Sequence, residues 1–176
     1  MLISEDYRLQ QRHLHETTNY GVASLQYAPL VADVLNSTGS IELLDYGAGR
    51  QNLIKSITER GLVHHEFTYI PYEPSDPECD TPPEPCDAVA CIDVLEHIEP
   101  ECLDAVLDDL KRVTRKVGIF TIATTPAVKV LPDGRNAHLI VEPPSWWMPK
   151  IASRFSIMAM QASSGGFFLI VGPLAE

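Results

Sequence analysis

The stretch Leu43-Leu44-Asp45-Tyr46-Gly47-Ala48-Gly49 decides the fold of this chain. Ile41 to Tyr46 is a short apolar run that predicts a strand. Gln51 to Arg60 then sets Leu53, Ile54 and Ile57 on one face of a helix, with Gly61 placed to end it. An acid and two glycines therefore stand where strand gives way to helix. Glycine lets backbone approach a ligand closely, and a helix start offers N–H groups that lack intrahelical partners. Taken alone the turn is a weak signal, because such turns also serve only to reverse the chain.

Outward from the turn, apolar runs alternate with amphipathic helices. Glu66 to Tyr72, Asp87 to Ile92 and Val117 to Ala123 read as strands, and Glu101 to Val113 reads as a helix with Leu103, Val106, Leu107, Leu110 and Val113 in register. That alternation predicts a parallel sheet with helices on its faces. Phe155 to Met160 and Phe167 to Val171 are two further strands, and residues 161–166 between them suit a hairpin rather than a parallel crossover. The expected fold class is α/β, a single doubly wound domain ending in an antiparallel hairpin. Between Glu73 and Asp87 the segment PSDPECDTPPEPC holds five prolines, which predicts a third strand that is shortened or absent. A sheet edge tolerates that loss.

Residues 1–40 read as a helical segment packing on a core domain of residues 41–176; Leu25, Ala28, Val31, Val34 and Leu35 form its apolar stripe. At 176 residues with 45% hydrophobic content, the chain supports one domain with a substantial core. Its formal net charge of -11 disfavours nucleic acid, whose phosphates are held by a surplus of Lys and Arg. The start MLISEDYRLQ has no basic or apolar leader, and the longest apolar run, Phe167 to Val171, is too short for a bilayer, so a cytoplasmic protein without membrane contact is expected. Cys79, Cys86, Cys91 and Cys102 contain no C-x-x-C pair, so they read as reduced thiols rather than zinc ligands.

Two more segments give the turn its meaning. Tyr72-Glu73-Pro74 ends the second strand 26 residues after Gly47, where a doubly wound fold brings a carboxylate to ribose hydroxyls. Cys86 to His97, CDAVACIDVLEH, closely resembles the F-D-x-V-x-x-x-x-V-L-E-H segment of the class I S-adenosylmethionine-dependent methyltransferases, particularly the branch with ubiquinone-biosynthesis O-methyltransferases. With L-L-D-Y-G-A-G and Y-E-P, the resemblance spans roughly residues 41–172 and implies a Rossmann-like sheet closed by a hairpin. It implies that Asp45, Gly47, Ala48 and Gly49 line the methionine side of S-adenosylmethionine. Glu73, with Pro74 beside it, would meet the ribose, and Asp93, Val94 and Leu95 would form the floor. Tyr20-Gly21 is similar to segments that close over the cofactor. Gln51 stands where the family carries its third glycine, and Asp76 or Asp80 is expected beside the adenine.

The expected function is methyl transfer to the oxygen or nitrogen of a small-molecule acceptor, leaving S-adenosylhomocysteine. Such an in-line displacement depends chiefly on alignment, and a hydroxyl acceptor gains from a base. His97, after the strand ending at Ile92, and His138, in the long insertion RNAHLIVEPPSWW, are the candidate catalytic residues. Trp146-Trp147 reads as packing and Ser145 as a helix N-cap. No metal is assigned. One alternative is a degenerate, non-catalytic S-adenosylmethionine-binding module. Another is a metal-assisted 2′-O-methyltransferase of RNA, in which Asp93, Glu96, His97 and His138 converge on a divalent ion as in small-RNA terminal methyltransferases. A nicotinamide-dependent oxidoreductase is weaker, since G-x-G-x-x-G would need glycine at Asn52.

Overall fold

A computed structural model describes residues 1–17 and 22–174. Four strands, β1 (Glu42–Tyr46), β2 (Thr68–Tyr72), β3 (Cys86–Ile92) and β4 (Thr114–Ala123), pair in parallel; β6 (Gly166–Pro173) and β5 (Phe155–Ser163) continue antiparallel. The sheet order is β2-β1-β3-β4-β6-β5. All seven residues of β3 are buried, as a central strand covered on both faces requires.

Helices α1 (Glu5–Thr17), α2 (Ala23–Thr38), α3 (Asn52–Glu59), α4 (Leu103–Val113) and α5 (Pro144–Ala152) complete the order. On one face of the sheet, α2 and α3 bury Ala28, Val31, Leu35, Leu53 and Ile57 against Leu43, Ala88 and Ala90. On the other, α4 and α5 bury Leu107, Leu110, Trp147 and Ile151 against Leu44, Val89, Phe120 and Leu169. Because strand side chains alternate, neighbouring Leu43 and Leu44 serve opposite cores.

The expected α/β sheet, terminal hairpin and missing third strand are all present: no strand separates Tyr72 from Cys86. Three local expectations change. The hairpin connection is only Ser164-Gly165, with Gly165 at φ 83°, because β5 and β6 extend further than their apolar cores. The cap of α5 is Pro143, not Ser145, since Pro144 starts the helix and needs no N–H partner there. Leu25 faces outward, and Ala28, Val31, Ala32, Val34 and Leu35 form the buried stripe of α2, which packs on the sheet.

Trp147 is fully buried, and its indole N–H has no acceptor. Trp147→Ala should lower stability by about 3–5 kcal/mol in urea unfolding through the cavity it leaves. Trp147→Phe should lose less than half as much, because it removes a donor whose burial alone costs about 1–3 kcal/mol.

Candidate functional site

The glycine turn is pinned by one acceptor. The N–H groups of Gly47 and Ala48 both donate to the Tyr72 carbonyl, at 2.8 and 3.0 Å, which ties the end of β1 to the end of β2. Gly47 sits at φ 84°, and a Cβ there would lie 2.4 Å from Val94 Cγ2. Glycine is thus required twice over, by conformation and by space. Gly49 donates to Glu73 Oε2 at 3.1 Å, and Gln51 to the Ala48 carbonyl at 2.7 Å. The N–H groups of Gly47, Ala48, Gly49 and Gln51 are therefore already engaged within the turn itself. Gln51 itself adopts the left-handed conformation, φ 55°, a strained choice for a residue with a side chain.

Beside the turn lies a cavity of about 570 Å³. Its wall includes Asp45, Gly47, Ala48, Gly49, Glu73, Pro74, Asp93, Val94, His97 and His138, so most of the residues expected at the site meet there. Leu95 does not: its side chain is fully buried in the core under α4, because the helical turn Leu95–His97 rotates it away, and the floor consists of Ile92, Asp93 and Val94. Asp76 lines a separate polar cavity behind the turn, and Asp80 is exposed and lines neither. Tyr20 lies outside the described residues. Trp146 and Trp147 pack edge to face away from the cavity, as expected of packing residues.

Asp45 accepts the Tyr69 hydroxyl at 2.7 Å. Burial raises its pKa to about 7, opposed by that hydrogen bond and reinforced by the charge of Glu73. Glu73 is held by the N–H and hydroxyl of Ser75 as well as by Gly49. Asp93, at φ 53°, donates its N–H to the Thr121 hydroxyl and accepts that hydroxyl's proton on Oδ1, both at 2.9 Å. Positive φ at a residue with a side chain is strained backbone, here at a strand end that lines the cavity.

His97 and His138 stand edge to face, ring centres 4.7 Å apart. The Nδ1 of His97 lies 2.7 Å from the Ala137 carbonyl and that of His138 lies 2.6 Å from the Thr125 carbonyl. A carbonyl only accepts, so each Nδ1 carries the proton and each Nε2 presents a lone pair. Burial, with the neighbouring His138 adding to it, lowers the pKa of His97 to about 3. Behind them Glu96 is fully buried; its Oε1 accepts the Ala123 N–H at 2.7 Å and its Oε2 has no hydrogen-bond partner.

Helix α1 roofs the cavity. Ser4 donates to Glu99 through N–H and hydroxyl, Tyr7 donates to the His97 carbonyl, and Arg12 donates to the Ser75 carbonyl. Tyr7, His15, Tyr69 and Thr121 all went unnoticed in the sequence, for each acts through a residue 24 or more positions away.

A family model described as "Methyltransferase domain" matches residues 22–162. Among solved structures, the 1,6-didemethyltoxoflavin-N1-methyltransferase of Burkholderia thailandensis, bound to 1,6-didemethyltoxoflavin and S-adenosylhomocysteine, aligns with TM-score 0.64 at 14% identity, covering 94% of this chain and 84% of its own. The mitomycin 7-O-methyltransferase aligns with TM-score 0.60 at 14% identity over 94% of this chain and 61% of its own. An rRNA methylase from Escherichia coli aligns with TM-score 0.57 at 13% identity over 98% and 78%. At such identities these likenesses concern the fold. No curated protein sequence matches the chain.

Gly47→Ala should cost about 2–4 kcal/mol of stability in chemical denaturation, from overpacking on Val94 and from positive φ. Adding Val94→Ala should restore the overpacking part and leave the backbone part.

Proposed function

The chain belongs to the methyltransferase-domain family, and we propose that it transfers the methyl group of S-adenosylmethionine to an oxygen or nitrogen of a small-molecule acceptor. The charge of the cavity carries this reading. Asp45, Glu73 and Asp93 line it against one cation, Lys129, among the described residues. Such a wall suits a ligand bearing a sulfonium and an ammonium. It opposes a pyrophosphate, which would in addition need the turn N–H groups already spent on Tyr72 and Glu73. The same balance, with the net charge of -11, weighs against RNA.

In the proposed complex, Glu73 meets the ribose hydroxyls, Asp45 and the Gly47–Gly49 backbone meet the methionine end, and Asp93 and Val94 form the floor. Leu2, Ile3, Tyr7, Ile98 and Val128 form an apolar wall for a small, uncharged acceptor. His138 is the better placed base. His97, held neutral by burial, presents a lone pair with little affinity for a proton.

A metal-assisted form of the same reaction is favoured by one observation, the buried Glu96 Oε2 without a hydrogen-bond partner in a group where one atom each of Glu96, His97 and His138 lie within 4.8 Å of one another. Glu96, His97 and His138 would hold the ion, which would polarise an acceptor oxygen when bound.

Calorimetric titration should show binding of S-adenosylmethionine and S-adenosylhomocysteine and none of NAD; binding of NAD alone would overturn the reading. Methyl-labelled cofactor incubated with cell extract should label a small molecule, whereas binding without any labelled product would identify a non-catalytic module. His138→Ala should reduce kcat by about 10²–10⁴-fold with cofactor affinity unchanged. Asp45 also sets a pH dependence. Its folded pKa lies above the ordinary 3.8, so the folded chain holds that proton the more tightly, and its contribution to stability declines as pH rises from 3.8 to about 7. A cationic ligand prefers the ionised carboxylate, so cofactor affinity should rise with pH through about 7 with proton release, and Asp45→Asn should abolish that slope.

A further inference from the structure

We infer that Tyr69 is a positioning residue of the cofactor site: its hydroxyl fixes one oxygen of Asp45, favours the carboxylate form that a cationic ligand needs, and so sets the pH range in which the site binds. The role rests on the proposed contact between Asp45 and the methionine end of the cofactor, and it specifies how that contact is regulated.

The strand register brings the two side chains together. In the parallel pair of β1 and β2, Leu43 stands opposite Tyr69 and Asp45 opposite Pro71. Asp45 and Tyr69 therefore share one face of the sheet, two residues out of step, a diagonal of about 7–8 Å that an aromatic side chain spans. The ring of Tyr69 packs against the core that α2 and α3 close over the sheet, which fixes its direction, and its hydroxyl donates to Asp45 Oδ2 at 2.7 Å.

The surroundings of Asp45 leave this task to Tyr69. Burial and the charge of Glu73, just beyond β2, both favour the neutral acid, and the Tyr69 hydrogen bond opposes them. Cys91 of β3 also lies within reach of the Asp45 charge, but burial pushes its thiol well up and keeps it uncharged. No titratable group of α2 or α3 acts on Asp45 among the described residues. Burial and Asp45 itself push the Tyr69 hydroxyl far up, so it remains a donor throughout the range in which Asp45 titrates. With Oδ2 held, Oδ1 is the oxygen left for a ligand. A single acceptor suits the point charge of an ammonium and not the two parallel donors of a guanidinium.

The ligand-free chain is titrated by carboxyl carbon-13 NMR from about pH 5 to about pH 10, with the Asp45 signal assigned by its loss in Asp45→Asn. Tyr69→Phe keeps the ring and removes the hydroxyl, and should move the Asp45 midpoint up from about 7 by about one unit or more, a tenfold gain in proton affinity. Calorimetric affinity for S-adenosylhomocysteine, which keeps the ammonium, should then fall about fivefold at pH 7 and rejoin the unsubstituted chain by about pH 9. In the Asp45→Asn background, Tyr69→Phe should change that affinity by less than about twofold at any pH. An Asp45 midpoint unmoved in Tyr69→Phe, or an affinity lost equally at every pH, would overturn the inference and leave Tyr69 a packing residue. A shifted midpoint in a chain that does not bind S-adenosylhomocysteine would overturn the cofactor reading and leave the hold of Tyr69 on Asp45 standing.

Discussion

The carbonyl of Tyr72 receives two N–H groups from the glycine turn, and the rest of the site depends on that double hydrogen bond. It holds the ends of β1 and β2 together at the place where the sheet opens into a cavity. Two successive amides converge on one oxygen only if the chain turns sharply, which puts Gly47 at φ 84° and brings its α-carbon against Val94. Val94 in turn fixes the entry to the helical turn that carries Glu96 and His97. One carbonyl therefore sets both the backbone face that the turn offers to the cavity and the position of the groups beyond it.

This arrangement explains how the chain manages without the third strand. The segment after β2 folds back through the Glu73 N–H to the Cys79 carbonyl, and Arg112 of α4 and Arg12 of α1 clamp it through the carbonyls of Pro83 and Ser75. Backbone groups that a strand would have satisfied are met by arginine side chains, which reach far and donate in several directions. Pro71 in β2 has no N–H to offer another strand at that edge. The proline-rich segment thus replaces sheet with an anchored loop, and Glu73 stays in place because its flanks are tied down.

Much of the fold was legible because it is written in local patterns. The apolar run ending in Asp45-Tyr46-Gly47, the helical register of Leu103 to Val113, and the five prolines after Glu73 each state a conformation within a few residues. That Asp45, Gly47, Glu73 and Asp93 would meet at one cavity was legible in the same way, since spacing along a doubly wound chain converts into position at the strand ends. What remained unreadable is long-range. Nothing near Asp45 announces Tyr69, nothing near Asp93 announces Thr121, and the anchoring of α1 by Glu99 joins residues 95 positions apart. Leu95 fits the family pattern of a floor residue, yet a single helical turn directs it into the core. Ser145 satisfies a capping rule that Pro144 makes unnecessary. Local rules compete at such points, and packing decides between them.

The cavity separates two chemistries, and that separation bears on the proposed reaction as a cycle. Asp45 and Glu73 flank the glycine turn, while His97 and His138 stand together with Asp93 beside them. In the proposed complex a positive sulfonium would be drawn to the carboxylates and would favour the ionised form of Asp45. Methyl transfer converts the sulfonium to a neutral thioether and so removes one positive charge from a poorly solvated place. In the proposed cycle the electrostatic hold would then weaken and the carboxyl would regain its affinity for a proton, since burial, opposed by the Tyr69 hydrogen bond and reinforced by Glu73, raises its pKa to about 7. On the proposed reaction the acidic wall would therefore favour the sulfonium cofactor over its thioether product, which gives the buried Asp45 carboxyl, a burden on the folded chain, a place in the cycle.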